Sequence, residues 1–216
     1  MRKWMIGLVL LSLGASEPYS YRLALLQYKG GGDWYANPTA LPNLAGFLNA
    51  NLGAAIDPNY ATVEVGSPQL FNYPFAHLTG HGNVVWSDAE VRNLQNYLEA
   101  GGFIHIDDNY GMDPYIRREL AKLFPGENLQ AIGADHPIYQ QVYAFPEGLP
   151  KIHRHDNKAP EAWGYYVDGR LALLYTYESD LSDGWEDPAV HNDPPEVRQK
   201  ALQMGANILM FALNNP

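Results

Sequence analysis

The sequence predicts an α/β fold: a doubly wound, mostly parallel sheet with an antiparallel hairpin added late. Three observations carry that expectation. Short apolar runs alternate with amphipathic helical patterns, the helical patterns start and stop on cap residues, and one Asp-Gly pair separates two late apolar runs. Alternating strands and helices bury their apolar faces best as helices layered on a parallel sheet. Asp-Gly between apolar runs is the signal of a two-residue hairpin turn.

Tyr21–Tyr28 (YRLALLQY) reads as the first buried strand. A helix opens at Asn37-Pro38, carries Leu41, Leu44, Phe47, Leu48 and Leu52 at helical spacing, and stops at Gly53. Ala61–Val65 and Phe75–Thr79 are the next two strands. Ser87 and Glu90 have the spacing of a capping box; Val91, Leu94 and Leu98 line one face, and Gly101-Gly102 close the end. Phe103–Ile106 is a fourth strand, and Asp113-Pro114 caps a helix with Ile116, Leu120 and Leu123 inward and Pro125 at its end. Trp163–Val167 and Leu171–Tyr175 flank Asp168-Gly169 as hairpin arms. Asp193-Pro194-Pro195 opens the last helix, with Val197, Ala201, Met204, Ile208 and Phe211 on one stripe.

Composition narrows the function classes. The 216 residues are 46% hydrophobic, enough for one compact domain. Acidic residues number 24 against 14 basic ones, net −10, which argues against a nucleic-acid partner because phosphate neutralisation needs clustered Lys and Arg. The absence of cysteine excludes a disulfide framework, a cysteine-ligated metal and a thiol nucleophile. Residues 1–16 have the form of a secretory signal peptide: Arg2 and Lys3, an apolar run from Trp4 to Leu13, then Gly14, Ala15 and Ser16. The run is shorter than the roughly 20 residues of a membrane span, and no later segment reaches that length. The expected product is a single periplasmic or secreted α/β domain over residues 17–216, with no stable membrane span; an uncleaved anchor or a buried first strand are the alternatives for the leader. Loss of Arg2 and Lys3 leaves 12 basic residues against 24 acidic ones, net −12.

Ligands of doubly wound sheets bind beyond the carboxyl ends of the strands. Gly30-Gly31-Gly32-Asp33-Trp34-Tyr35 follows the first strand, Gly80-His81-Gly82-Asn83 the third, Asp107-Asp108-Asn109-Tyr110-Gly111 the fourth, and Tyr177-Glu178-Ser179-Asp180 the second hairpin arm. Parallel core strands would bring the first three of these loops to one edge. The glycines either build a tight turn or open the backbone to a ligand, and no Gly-Lys-Ser/Thr follows to make a Walker loop. Trp34 and Tyr35 either stack on a sugar or cover the core. Asp107 and Asp108 end an apolar strand, where carboxylates are costly unless hydrogen-bonded, paired or metal-bound. They are candidates for a catalytic acid or base with His81 as partner; capping of local amides is the plain alternative.

Among the other histidines, His77 and His105 are expected as ordinary hydrogen-bonded core residues, and His136 and His191 as turn residues. His153 and His155 share one side of an extended segment, a spacing suited to one divalent metal with Asp156 or Asp107. The alternative is a solvated loop in which Arg154 pairs with Asp156. The acidic stretch ESDLSDGWED lacks EF-hand spacing and reads as a solvated loop packed under Trp185.

The segments LQYKGGGDWYANPTALPNL, LTGHGNVVWSDAEVRNLQNYLEAGGFIHIDDNYG, DHPIYQ, DGRLALLYTYESDLSDGWED and HNDPPE carry a family resemblance. From about Tyr21 to Asn214 the chain resembles a bacterial family of unassigned function, domain of unknown function 4159. The resemblance implies a fold similar to class I glutamine amidotransferases and trehalose-utilisation-like proteins, a flavodoxin-like winding, and it implies no reaction. The amidotransferase nucleophile is a cysteine, so this chain does not hydrolyse glutamine by that mechanism.

The first functional expectation is a hydrolase-like enzyme on a carbohydrate or cell-envelope substrate. Asp107, Asp108 and His81 would be catalytic, and Gly31, Gly32, Asp33, Trp34, Tyr35, Asn109, Tyr110, His153 and His155 would surround the ligand. The alternatives are a non-catalytic module for a small molecule, glycan or envelope partner, and a protein binding a divalent metal through His81, His153, His155 and nearby carboxylates.

Overall fold

The computed structural model describes residues 19–215, so the expected leader at residues 1–16 lies outside the described residues. Seven strands make one sheet: β1 (Tyr21–Gln27), β2 (Ile56–Glu64), β3 (Phe75–Gly80), β4 (Phe103–Asp108), β5 (Gln130–Ala131), β6 (Glu161–Val167) and β7 (Arg170–Tyr177). Their order is β2-β1-β3-β4-β7-β6-β5. The first five in that order run parallel, and β6 and β5 extend the sheet antiparallel. The late hairpin thus enters the sheet through β7, whose Leu173 and Leu174 pair with Ile104 and His105 of β4.

Among the described residues the helices are α1 (Ala40–Leu52), α2 (Asp88–Glu99), α3 (Asp113–Leu123), the short α4 (Pro188–His191) and α5 (Pro195–Asn214). Strand alternation divides the core in two. Leu23 and Leu25 of β1 face the α1–α5 side with Phe75 and Phe103, whereas Ala24 and Leu26 face the α2–α3 side with Ile104 and Ile106.

Local chemistry explains most boundaries. Ser87 accepts from the Glu90 N–H while Glu90 accepts from the Ser87 N–H, which is the expected capping box. Gly53 takes a left-handed φ of 63° and donates to Asn49, ending α1. Asp168 and Gly169 both have positive φ, as a type I′ turn requires. β2 begins five residues before the expected Ala61. Pro58 is tolerated there because β2 is an edge strand and has only one neighbour to bond. The two-residue β5 was not expected. The cap of α3 is also a correction: Asp113 does not supply it. Asp108, at the end of β4, accepts from the Met112 and Asp113 N–H groups at 2.8 and 3.2 Å. Among the described residues no helix is long and apolar enough to cross a membrane.

Two helical glycines separate packing from propensity. A Cβ on Gly205 of α5 would lie 2.7 Å from Leu44 Cδ1 and 2.8 Å from the buried Trp185 ring, whereas one on Gly46 of α1 meets nothing within 4 Å. Alanine gains roughly 1 kcal/mol over glycine in a helix, and overpacking costs about 1–3 kcal/mol. Gly46→Ala is therefore expected to raise the urea midpoint and Gly205→Ala to lower it, as equilibrium unfolding will show.

Candidate functional site

Because β1, β3, β4 and β7 are parallel, the loops after all four meet at one edge of the sheet. The centre of that edge is the segment from Glu178 to Asp187. It is not the solvated acidic loop expected: Glu178, Ser179, Asp180, Ser182, Asp183, Trp185 and Glu186 are all buried. The reason is a set of internal partners. Asp107 accepts from Thr176 Oγ1, from the Ser182 N–H and from Ser182 Oγ, the last two at 2.7 Å. Burial pushes the Asp107 carboxyl up to about 6, with those bonds opposing the rise. Glu186 accepts from the Thr39 N–H and Oγ1 at 2.7 and 2.9 Å, serving the start of α1, where Thr39 makes no side-chain cap of its own. Trp185 donates from Nε1 to Ala201 of α5 at 2.8 Å.

Beneath this segment, the Trp185 ring lies 5.4 Å from His77 and 5.7 Å from His105, which stack on each other at 5.1 Å. His105 Nε2 reaches Thr176 Oγ1 at 3.1 Å, so polar contacts run from His105 through Thr176 and Asp107 to Ser182. His77 differs from the ordinary hydrogen-bonded core residue expected: neither ring nitrogen has a hydrogen-bond partner. Burial depresses it to about 3, opposed by the neighbouring His105 backbone, which lacks hydrogen-bonding geometry. Burial likewise holds His105 well below the usual imidazole range.

A second group joins the β1 and β3 loops. Asp33 Oδ1 accepts from the His81 N–H, and His81 Nδ1 lies 3.0 Å from Asp33 Oδ2. The glycines make this approach possible. A Cβ on Gly32 would sit 2.6 Å from the His81 carbonyl, and one on Gly80 would sit 2.9 Å from the Asp33 carbonyl. The imidazole is half-exposed, and Nε2 has no protein partner among the described residues.

The third group joins the segment before β6 to the segment after β7. His153 Nδ1 lies 3.1 Å from Asp183 and Nε2 2.9 Å from Asp193. The Asp183 bond leads in raising His153 to about 9, burial opposes it, and Asp193 adds to the rise. Burial also works against the Asp183 charge, but His153 and Asn37 outweigh it and hold that carboxyl below its usual range. His155 Nε2 lies 2.9 Å from Asp180 Oδ2, an ion-pair distance off the direction of a hydrogen bond, so neither Asp180 oxygen accepts one. Asp180 is 1% exposed, and burial followed by the charges of Asp107 and Asp183 drives it up to about 8. Tyr110 stacks on His155 with ring centres 4.4 Å apart. Tyr110, Glu178 and Asp180 all hold left-handed φ, between 55° and 77°, an uncommon and strained conformation for such residues.

The family model described as Domain of unknown function (DUF4159) matches residues 22–213. The chain belongs to this family. No protein among the curated ones matches it.

In this DUF4159 domain the expected site residues reach one edge but fall into separate environments. Asp107 and Asp108 are buried on opposite sides of β4, and their oxygens are taken by Ser182, Thr176 and the start of α3. Asn109 is buried, with Thr79 donating to its Oδ1 at 2.9 Å, while Tyr35 and Tyr110 are exposed and Trp34 packs partly against both cores. Gly31 faces open space. Asp156 pairs with Lys158 at 3.1 Å and not with Arg154, and Asp180 takes the place beside His155 expected for Asp156 or Asp107. His191 is not the turn residue expected: it ends α4 and lies 3.9 Å from Asp183, so it belongs to the edge. His136 accepts from the Ile138 N–H and stands at a different place, beside a cavity of about 480 Å³. That cavity is lined by His136, Tyr166, Arg170 and Phe211 and opens near the β6–β7 turn, at the opposite edge.

Two measurements check this architecture. Asp107→Asn puts an amide where Ser182 needs an acceptor, so it is expected to destabilise the domain by about 1–3 kcal/mol in urea unfolding. His77 sets an acid sensitivity with a defined sign. Above pH 6.5 both states are neutral; below it the unfolded chain gains a proton that the folded chain refuses until about pH 3. Stability therefore falls as pH drops through that window, by about 2 kcal/mol at pH 5. His77→Phe is expected to move the acid-unfolding midpoint, followed by circular dichroism, to lower pH.

Proposed function

We propose that this domain is an exported, hydrolase-like enzyme whose carboxyl edge acts on a carbohydrate or cell-envelope substrate, with Asp33 and His81 as its acid–base pair. The carrying observation is the Asp33 carboxylate 3.0 Å from Nδ1 of a half-exposed imidazole. A carboxylate on Nδ1–H holds the tautomer in which Nε2 accepts a proton. Nε2 then takes a proton from an attacking water and returns it to the leaving group. In this reading Asp107 and Asp108 position the loops and do not touch substrate. Exposed Tyr35 and Tyr110 offer ring faces of the kind that cover a sugar.

The leader-like composition of residues 1–16 supports export. The order β2-β1-β3-β4-β7 of the parallel strands supports a flavodoxin-like winding, the class that includes the glutamine amidotransferases. The exposed rings of Tyr35 and Tyr110 also suit the second reading: a non-catalytic module for a glycan or envelope partner.

The test is a panel of chromogenic esters, phosphoesters and glycosides together with acetylated oligosaccharides. Turnover on any of them is expected to fall by about 100-fold or more in His81→Ala and Asp33→Asn, with thermal midpoints unchanged. Turnover that survives in both variants removes the pair from the chemistry. Oligosaccharide binding without turnover in the unsubstituted protein establishes the binding module instead.

A further inference from the structure

We propose that His153, His155 and Asp180 form a binding site for one divalent transition-metal ion of the zinc type. The site stands apart from the Asp33–His81 pair, which lies on the loops after β1 and β3. One donor atom from each of the three residues lies within 4.8 Å of the others. Ligands of a tetrahedral zinc ion sit about 2 Å from the metal, so a small contraction of this trio encloses one.

The independent observation is the Asp180 carboxylate. It is buried, and neither oxygen accepts a hydrogen bond, although buried carboxylates are ordinarily supplied with donors. Its neighbours Asp107 and Asp183 already have theirs, from Thr176, Ser182, Asn37 and His153. A cation between Asp180 and the imidazoles would engage the carboxylate oxygens that no hydrogen-bond donor reaches.

The two histidines are held in place from behind. His153 is gripped by carboxylates on both ring nitrogens; a metal at one nitrogen displaces that carboxylate and releases the proton there to solvent, and the other nitrogen stays oriented by its acidic partner, the usual support of a metal-bound histidine. His155 is fixed by the Tyr110 ring while its Nε2 stays 2.9 Å from Asp180. Two imidazoles and one carboxylate select a first-row transition ion over calcium or magnesium, which prefer all-oxygen shells. Three protein ligands leave a fourth position for water or a ligand oxygen. A competing trio, His153, Asp183 and His191, shares one histidine. Its carboxylate already accepts from Asn37 at 2.8 Å and from His153, so it has less need of a cation.

The experiment uses protein purified without a histidine tag, stripped with chelator and titrated with zinc, cobalt, magnesium or calcium chloride. The expected result is one zinc or cobalt ion per chain by calorimetry, a zinc-dependent rise in the thermal midpoint and a visible cobalt absorption band. Asp180→Asn and His155→Ala are expected to weaken zinc binding by more than about 100-fold, and His136→Ala, at the opposite edge, to leave it unchanged. His155 is partly exposed, so its variant decides the matter if Asp180→Asn does not fold. Absence of saturable binding overturns the proposal, as does equal binding of magnesium or calcium. Loss of zinc binding in His191→Ala but not in Asp180→Asn overturns it in favour of the competing trio.

Discussion

The carboxylate of Asp107 is the tie on which the carboxyl edge depends. It grips Ser182 through both backbone and hydroxyl, and Thr176 holds it from β7. With Ser182 fixed, the next three residues drive Trp185 into the space between the paired histidines of the sheet and α5. Glu186 then reaches the start of α1. Each later contact needs the earlier one, because a ten-residue acidic segment enters the interior only if its charges find donors on the way.

Those donors are shared unequally, and the inequality shapes the electrostatics of the edge. Asp108 has the amides of α3, Asp183 has Asn37 and His153, and Glu178 has Lys151 at 2.8 Å. Asp180 is left within reach of the same field without a hydrogen bond, so the repulsion among the buried carboxylates is expressed chiefly there. The Asp33–His81 pair lies in a more exposed setting, held by close backbone contact across glycines.

What was legible in the sequence was what neighbouring residues decide. The Ser87–Glu90 box, the Asp168-Gly169 turn, Gly53 at the end of α1 and the alternation within β1 are signals spanning a few positions. The parallel topology then brought His81, Asp33 and Asp107 to one edge, as expected. Periodicity places Asp107 and Asp108 on opposite sides of β4, but it does not tell which donors await them. The burial of ESDLSDGWED was illegible because its partners Asn37, Thr39 and Asn43 lie 142 to 147 residues away. His191 and Asp180 carried no recognised ligand spacing, because each meets its neighbour, Asp183 or His155, across an irregular segment with no fixed period.

That separation in sequence has a consequence for the order in which the molecule comes into being. A chain emerging N-terminus first can pair β1 with β2 and β3 at once, yet α1 meets Glu186, the acceptor at its start, only after Glu186 has been made. Closing so long a loop is slow, and it happens late. Until then the half-built sheet shows an open β4 edge, with Ile104 and Ile106 awaiting the β7 neighbours Leu173 and Tyr175. A fragment ending before Trp185 has neither the indole that packs against His77 and His105 nor the Glu186 acceptor at the start of α1, so the burial of the Glu178–Asp187 segment is the last part of the edge to be completed.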